Sequence, residues 1–464
     1  MLDKLREQAK THDREAAEHL LQPWPHAGSI GAEHRGMMAS AEGIYITDEK
    51  GRRLIDGPAG MWCTNVGHRN AALADSLRDQ AMQLSYNTPW YTSSTPSVEL
   101  ASRLSQYTPG DLDHFFFTTG GSTAVETALR FVQFYNNVRG RPEKKMLLCR
   151  EGGYHGSTYL SSSLNGSQRT RNWMDFADSI IHRLSCPDPF RRPKGTSIEQ
   201  FTLDLVTEFR SAVEALGAEN IAAFIGEPIM ASGGVIIPPE GYLPAIAKIC
   251  RDNDILYISD EVVTAFGRLG SVFASQEVFG IEPDIITFAK GVTSGYFPLG
   301  GMAVSDRLLA ELRSSNHPEA MFAHGLTYSS HPIGSAVALK NLDLLEDGIL
   351  DHAREVAPYF QQQLKSLEEL ELVGEARGMG LMACVECVAD RESRNPIRLD
   401  TEVGSRIDRH CQELGLLVRP LVHMCVMSPP LVITREQIDS MADILRTGIR
   451  RTMDDLTREG LWKG

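Results

Sequence analysis

The pattern of apolar and polar positions changes character twice along the chain. After a charged, helical opening, GIYITDEKGRRLIDG sets apolar residues at alternate positions around a polar Asp-Glu-Lys-Gly turn, which predicts a β-hairpin. From about Ser97 onward, short apolar runs alternate with segments of helical length and period. The runs are His114–Phe117, Met146–Cys149, Ala222–Ile225, Ile255–Ser259 and Ile285–Ala289. Such alternation predicts an α/β region with a mainly parallel sheet. Beyond it, a long helical stretch over Ile333–Leu345 leads to GMGLMACVECVA, read as one strand. A helix near Glu402–Glu413 and a further strand, GLLVRP, follow. These elements predict a smaller α+β unit packed with the N-terminal hairpin. The expected division is an N-terminal segment of the small domain (1–75), a large domain (76–332) and a C-terminal small domain (333–464). No internal repeat or low-complexity linker interrupts this order.

Composition then narrows the class. The 464 residues are 42% hydrophobic and 23% charged, which excludes a disordered or collagen-like chain. Forty-six Lys and Arg against 60 Asp and Glu leave a formal net charge of −14. That balance argues against nucleic-acid binding and against adhesion to an anionic membrane. Eight cysteines follow no framework spacing, as expected in a reducing compartment. The close pair Cys384 and Cys387 lacks a second pair or a nearby histidine to complete a zinc site. The opening residues lack the apolar core of a signal peptide, and no stretch reaches the ~18 apolar residues of a bilayer span. The expected location is the cytoplasm.

Candidate chemistry concentrates between Ala222 and Lys290. The strand-like segments AAFIGEP, ILYISDE and DIITFAKG each end at a charged residue: Glu227, Asp260 and Lys290. In a parallel sheet with right-handed crossovers, successive carboxyl ends share one edge, where ligands bind. These three side chains should therefore converge. A lysine in a dry pocket gives up its charge readily and can form a Schiff base with a carbonyl. An aspartate facing a pyridine nitrogen keeps that nitrogen protonated and improves the ring as an electron sink, and pyridoxal phosphate enzymes need both contributions. The phosphate needs a cradle, and HFFFTTGGSTAVETALRFV offers a strand, a Gly-Gly-Ser turn and a helix from about Thr123. Free amides at a helix start attract a dianion, and the Thr123…Glu126 spacing fits a capping box. The turn is neither G-x-G-x-x-G nor G-x-x-x-x-G-K-[ST], so nothing supports a dinucleotide or ATP site. No H-E-x-x-H motif supports a metal hydrolase, and no basic module supports a DNA-binding regulator.

GEPIMASGGVIIPPEGYL, ISDEVVTAFGRLG, ITFAKGVTSGYFPLG and HGLTYSSHPIGSAVAL together resemble the class III pyridoxal-phosphate-dependent aminotransferases, most closely the omega-transaminases. The resemblance runs from about residue 40 to 450. It implies an α/β fold type I transferase, with a large domain built on a mainly parallel seven-stranded sheet plus a smaller α+β domain. It implies that Lys290 carries the cofactor covalently and shuttles a proton, while Asp260 pairs with the ring nitrogen. Val262 would pack beneath the ring, Tyr154 would stack above it, and Gly121 and Ser122 would hold the phosphate. Thr327 would reach the phosphate of a neighbouring subunit, which implies a homodimer or dimer of dimers with shared active sites. The commoner family turn is Ser-Gly-Ser-Glu where this chain has Gly-Gly-Ser-Thr, which changes side-chain contacts but not the amide cradle. By the same resemblance Trp62 lies near the substrate pocket, Arg419 binds an alpha-carboxylate, and Glu227 neutralises Arg419 when no carboxylate is present. The implied reaction is a ping-pong transamination from an amine, diamine or omega-amino acid to an alpha-keto acid, pyruvate being the first expected acceptor. Same-fold alternatives are a diamino-acid:2-oxoglutarate transaminase, a dialkylglycine-type decarboxylase and an aminomutase.

Overall fold

A computed structural model describes residues 12, 14–32, 35–395 and 402–463. Part of the helical opening expected from the sequence falls on residues 1–11 and 13, outside the described residues, and helix is present over 14–19. The predicted hairpin forms from β2 (Tyr45–Asp48) and β3 (Arg53–Asp56), paired antiparallel, with β1 (Met38–Glu42) added at the β2 edge.

The central sheet is made by β4 (His114–Thr118), β5 (Met146–Arg150), β6 (Ile181–Leu184), β7 (Ile221–Gly226), β8 (Leu256–Asp260), β9 (Ile285–Phe288) and β10 (Gly300–Val304). Its order is β4-β10-β9-β8-β7-β5-β6, and β10 alone runs against its two neighbours. Side chains of a strand alternate between faces, so each strand here serves two cores. Leu147, Cys149, Ala223, Ile225 and Ile258 pack with Val125, Leu129 and Val132 of the helix Gly121–Val138. Leu148, Phe224 and Tyr257 pack on the opposite face with Phe209 and Ile246 of the helices Ile198–Leu216 and Tyr242–Asp252. Both faces are covered, which explains why these strands read as unbroken apolar runs.

The C-terminal elements differ from expectation in two places. GMGLMACVECVA is not one strand but the antiparallel pair β11 (Val373–Met379) and β12 (Met382–Cys387), which turns at Gly380 with φ +58°. A Cβ at Gly380 would lie 2.4 Å from the Arg268 carbonyl oxygen, so glycine is required by space as well as by φ. GLLVRP splits into β13 (Leu416–Leu417) and β14 (Arg419–Leu421), which join different sheets on either side of Val418. β13 pairs parallel with β3 through Leu416 and Ile55, while β14 pairs with β15 (Met424–Met427) in the sheet β11-β12-β15-β14. The N-terminal hairpin is thus built into one sheet with C-terminal residues. The helices Val403–Leu414 and Arg435–Arg458 pack on each other beside it.

Two buried polar groups tie these parts together. The fully buried Arg268 donates to the carbonyl oxygens of Leu381 at 3.0 Å and Pro429 at 2.6 Å, and to Asn65 Oδ1 at 2.7 Å. Glu386 on β12 is buried among Arg377, Arg191 and His423, and Arg377 Nε donates to the Gly234 carbonyl oxygen at 2.9 Å. Among the described residues no helix is long and apolar enough to cross a membrane.

Candidate active site

Strand register delivers the three charged residues to one edge. Gly226, one residue before Glu227, pairs with Ser259, and Asp260 pairs with Thr287, three residues before Lys290. Beyond this edge lies a cavity of about 370 Å³ lined by Lys290, Asp260, Glu227, Tyr154, Val262 and the turn Thr119–Ser122.

Lys290 opens a short 3-10 turn, Lys290–Thr293, with a left-handed φ of +47°. Strain of that kind persists only where the surroundings enforce it. Asn341, from the helix Pro332–Leu344, donates to the carbonyl oxygens of Gly291 at 2.9 Å and Val292 at 3.1 Å. Asn65 packs so closely that a Cβ at Gly291 would lie 2.4 Å from its Nδ2. Burial holds the Lys290 ammonium below its ordinary pKa; the Asp260 carboxylate opposes this and the Arg419 charge adds to it.

Asp260 is 4% exposed, and both of its oxygens are held. Oδ2 accepts from His155 Nδ1 at 2.7 Å, and Oδ1 accepts from the Val262 amide at 3.2 Å. An ionised carboxylate only accepts, so Nδ1 of His155 carries the hydrogen. The side chain of Val262 stands against Gly121, where an added Cβ would fall 2.9 Å from Val262 Cγ1.

The helix expected from Thr123 starts two residues earlier, at Gly121, after the extended Gly120. The capping box of Thr123 and Glu126 therefore does not form. Thr123 Oγ1 donates back to the Gly120 carbonyl oxygen at 2.9 Å, and Glu126 accepts from Thr158 Oγ1 at 2.6 Å. No side chain caps the helix start, so its first amides remain open toward the cavity. Ser122 Oγ accepts from the Ser157 amide at 3.0 Å and keeps its own hydrogen to donate.

Tyr154 and His155 sit on a loop without regular structure that side chains hold in place. Glu227, which is 5% exposed, accepts from the Tyr154 amide and the Ala231 amide, each at 3.0 Å. Asn165 accepts from the His155 amide at 2.7 Å and donates to the Gly156 carbonyl oxygen at 2.9 Å. The sequence reading missed His155, Asn165 and Asn341. His155 at least adjoins Tyr154 in GGYHGST, but no periodicity marks the other two.

Two expected contacts are not seen, the Glu227–Arg419 pair and Trp62 at the cavity wall. Glu227 makes no ion pair with Arg419; its two oxygens are taken by backbone amides, and burial raises its pKa. Trp62 does not line the cavity. With φ +65° it turns into a buried cluster with Ile229, Val235 and Met382, while Met61 and Cys63 on either side of it reach the wall. Arg419 lies over the Trp62 ring, 5.4 Å from its centroid, with no carboxylate at ion-pair distance among the described residues. Thr327 is on an exposed turn outside its own chain's cavity, and its carbonyl oxygen accepts from Tyr86 Oη at 2.9 Å.

A strand-end lysine whose charged form burial disfavours, a carboxylate fixed at both oxygens and an open helix start lined by glycine fit pyridoxal phosphate by the chemistry of their donors. The class-III aminotransferase family pattern matches residues 31–449, and the chain belongs to this family of pyridoxal-phosphate enzymes. It is similar to the putrescine–pyruvate aminotransferase of Pseudomonas aeruginosa, being 38% identical over 449 residues that cover 96% of this chain and 97% of that one. Among solved structures, it resembles the (S)-enantioselective omega-transaminase of Thermomicrobium roseum, with a TM-score of 0.90, 38% identity and coverage of 97% and 99%. The PMP-bound aminotransferase of Vibrio fluvialis gives a TM-score of 0.91 at 32% identity, with coverage of 96% and 98%.

Proposed function

We propose that the chain transfers an amino group from an amine, diamine or omega-amino acid to an alpha-keto acid, with pyruvate the first acceptor expected, in two half-reactions at one site. The observation that carries this is the meeting of Lys290, Asp260 and the uncapped helix start at Gly121 and Ser122 in one cavity. Pyridoxal phosphate, when bound, supplies an electron sink for charge developing at the amine-bearing carbon.

The chain's own residues do the rest. Lys290 Nζ would hold the cofactor covalently while no donor is bound. Once free, Nζ, whose charged form burial disfavours, would be placed to take the proton from the amine-bearing carbon and pass it to a different carbon on the cofactor side. Asp260, its rotation prevented by His155 and the Val262 amide, would present a fixed carboxylate to the ring nitrogen and keep it protonated. Gly121 and Ser122 would hold the phosphate, and Val262 and Tyr154 would bracket the ring. Arg419 takes the carboxylate of the keto acid through its fork of N–H groups, with Trp62 beneath it. Thr327, outside its own cavity, serves the site of a second copy, so the working form is a homodimer, or a dimer of dimers, in the cytoplasm.

Borohydride reduction of the loaded enzyme followed by peptide mapping should place the label on Lys290; a label on another lysine, or on none, overturns the assignment. A donor–acceptor panel then ranks amines, diamines and omega-amino acids, with pyruvate against 2-oxoglutarate. Carbon dioxide release, or turnover without a keto acid, would move the chain to the decarboxylase or aminomutase reading.

A further inference from the structure

Glu227 is buried on the cavity edge, yet both of its oxygens are spent on backbone. Oε1 accepts from the Tyr154 amide and Oε2 from the Ala231 amide, each at 3.0 Å. Its own carbonyl oxygen accepts from Arg150, a buried guanidinium that makes no ion pair among the described residues. On the far side of the same loop, Asn165 binds the His155 amide and the Gly156 carbonyl oxygen, and Ser122 Oγ binds the Ser157 amide. Residues 152–156 lie outside any strand or helix; backbone bonds to Arg150 and Gly166 fix Gly153, and side chains hold the amides of Tyr154, His155 and Ser157. At Gly156, with φ +143°, a Cβ would lie 2.4 Å from Ser161 Oγ, which leaves the loop little room to relax.

We infer that Glu227 and Asn165 are positioning residues that clamp the Tyr154–Gly156 loop, so that Tyr154 faces the cofactor and His155 holds Asp260. This deepens the pyridoxal phosphate reading above and rests on it. Glu227 then acts through Tyr154 and His155 and has no part in charge compensation of Arg419. A buried amide left without its acceptor destabilises the loop in the one arrangement that accepts the cofactor.

The test uses Glu227→Gln, Glu227→Ala and Asn165→Ala, each stripped of cofactor and titrated with pyridoxal phosphate by absorbance. For Glu227→Ala and Asn165→Ala the cofactor Kd should rise on the order of tenfold. Glu227→Gln, which keeps one acceptor, should fall between them and the parent. The pH dependence of the bound-cofactor absorbance should move in all three. The ratio of kcat/KM for an omega-amino acid to that for an uncharged amine should stay within about twofold of the parent. A changed ratio with an unchanged Kd would overturn the inference in favour of a carboxylate switch, and no change in either would overturn it outright. If Glu227→Ala does not fold, Asn165→Ala and Glu227→Gln carry the same comparison. Failure of the parent itself to bind the cofactor at Lys290 would sink the underlying reading instead.

Discussion

His155 offers a direct test of how the site works, because its Nδ1 is bonded to Asp260 at the cavity wall. The contact is 2.7 Å long and both side chains are 2–3% exposed, so it is a charge-assisted hydrogen bond away from water. Replacing His155 by Phe keeps a ring of similar size and removes the donor. The carboxylate oxygen is then buried without its hydrogen bond, at a cost of about 1–3 kcal/mol. At about 1.4 kcal/mol per factor of ten, the donor half-reaction should slow by roughly 5- to 150-fold. Asn carries its amide nitrogen near the position of His Nδ1, so His155→Asn should recover part of the loss. The assay is single-turnover conversion of the loaded enzyme with excess amine, followed by cofactor absorbance. If folded, loaded His155→Phe stays within threefold of the parent, the hydrogen bond does not position Asp260 for the reaction and the argument fails.

Other expectations follow from the same geometry. Lys290→Met should abolish borohydride trapping and turnover. Because the folded pKa of Lys290 lies below its unfolded value, the stability it withholds returns only as pH rises from the folded value past the unfolded one. The cofactor-free variant should therefore be more stable than its parent at pH 7, and the difference should close toward strongly alkaline pH in urea titrations. Arg419→Ala should raise the keto-acid KM on the order of tenfold or more and leave the absorbance of the bound cofactor unchanged, as read by steady-state kinetics and spectra. Burial pushes the Glu386 pKa up, but His423, Arg377 and Arg191 outweigh it and bring it down to about 2 from an ordinary 4.5. Its ionised form thus adds about 3 kcal/mol above pH ~4.5, and this is lost as pH falls toward ~2. Glu386→Gln should lower the urea midpoint clearly at pH 7 and by less at pH 3.5.

The strand ends at Glu227, Asp260 and Lys290 were legible because a run buried on both faces stops abruptly where the chain meets a cavity. Chemistry and polarity change at the same residue there. The two-faced core was legible for the same reason, since Leu147, Leu148 and Cys149 must all be apolar although they point alternately. Loop geometry was not. Nothing in the order of residues says that Glu227 spends its oxygens on the amides of Tyr154 and Ala231, or that Asn165 holds the same loop from behind. Trp62 turns into the core because φ is +65° there, and a side-chain pattern carries no sign of φ. GLLVRP failed for a related reason: Leu417 and Arg419 look like one strand until Val418 sends them into different sheets.

The pairing of Ile55 with Leu416 sets a schedule for synthesis. At about 5–20 residues per second, the outer edge of the N-terminal hairpin waits roughly 20–70 s on the ribosome before its mate is made. During that interval an apolar strand edge stands open to other nascent chains. Yield in cells should respond more strongly to translation speed and holdase chaperones than the stability of the finished enzyme would suggest.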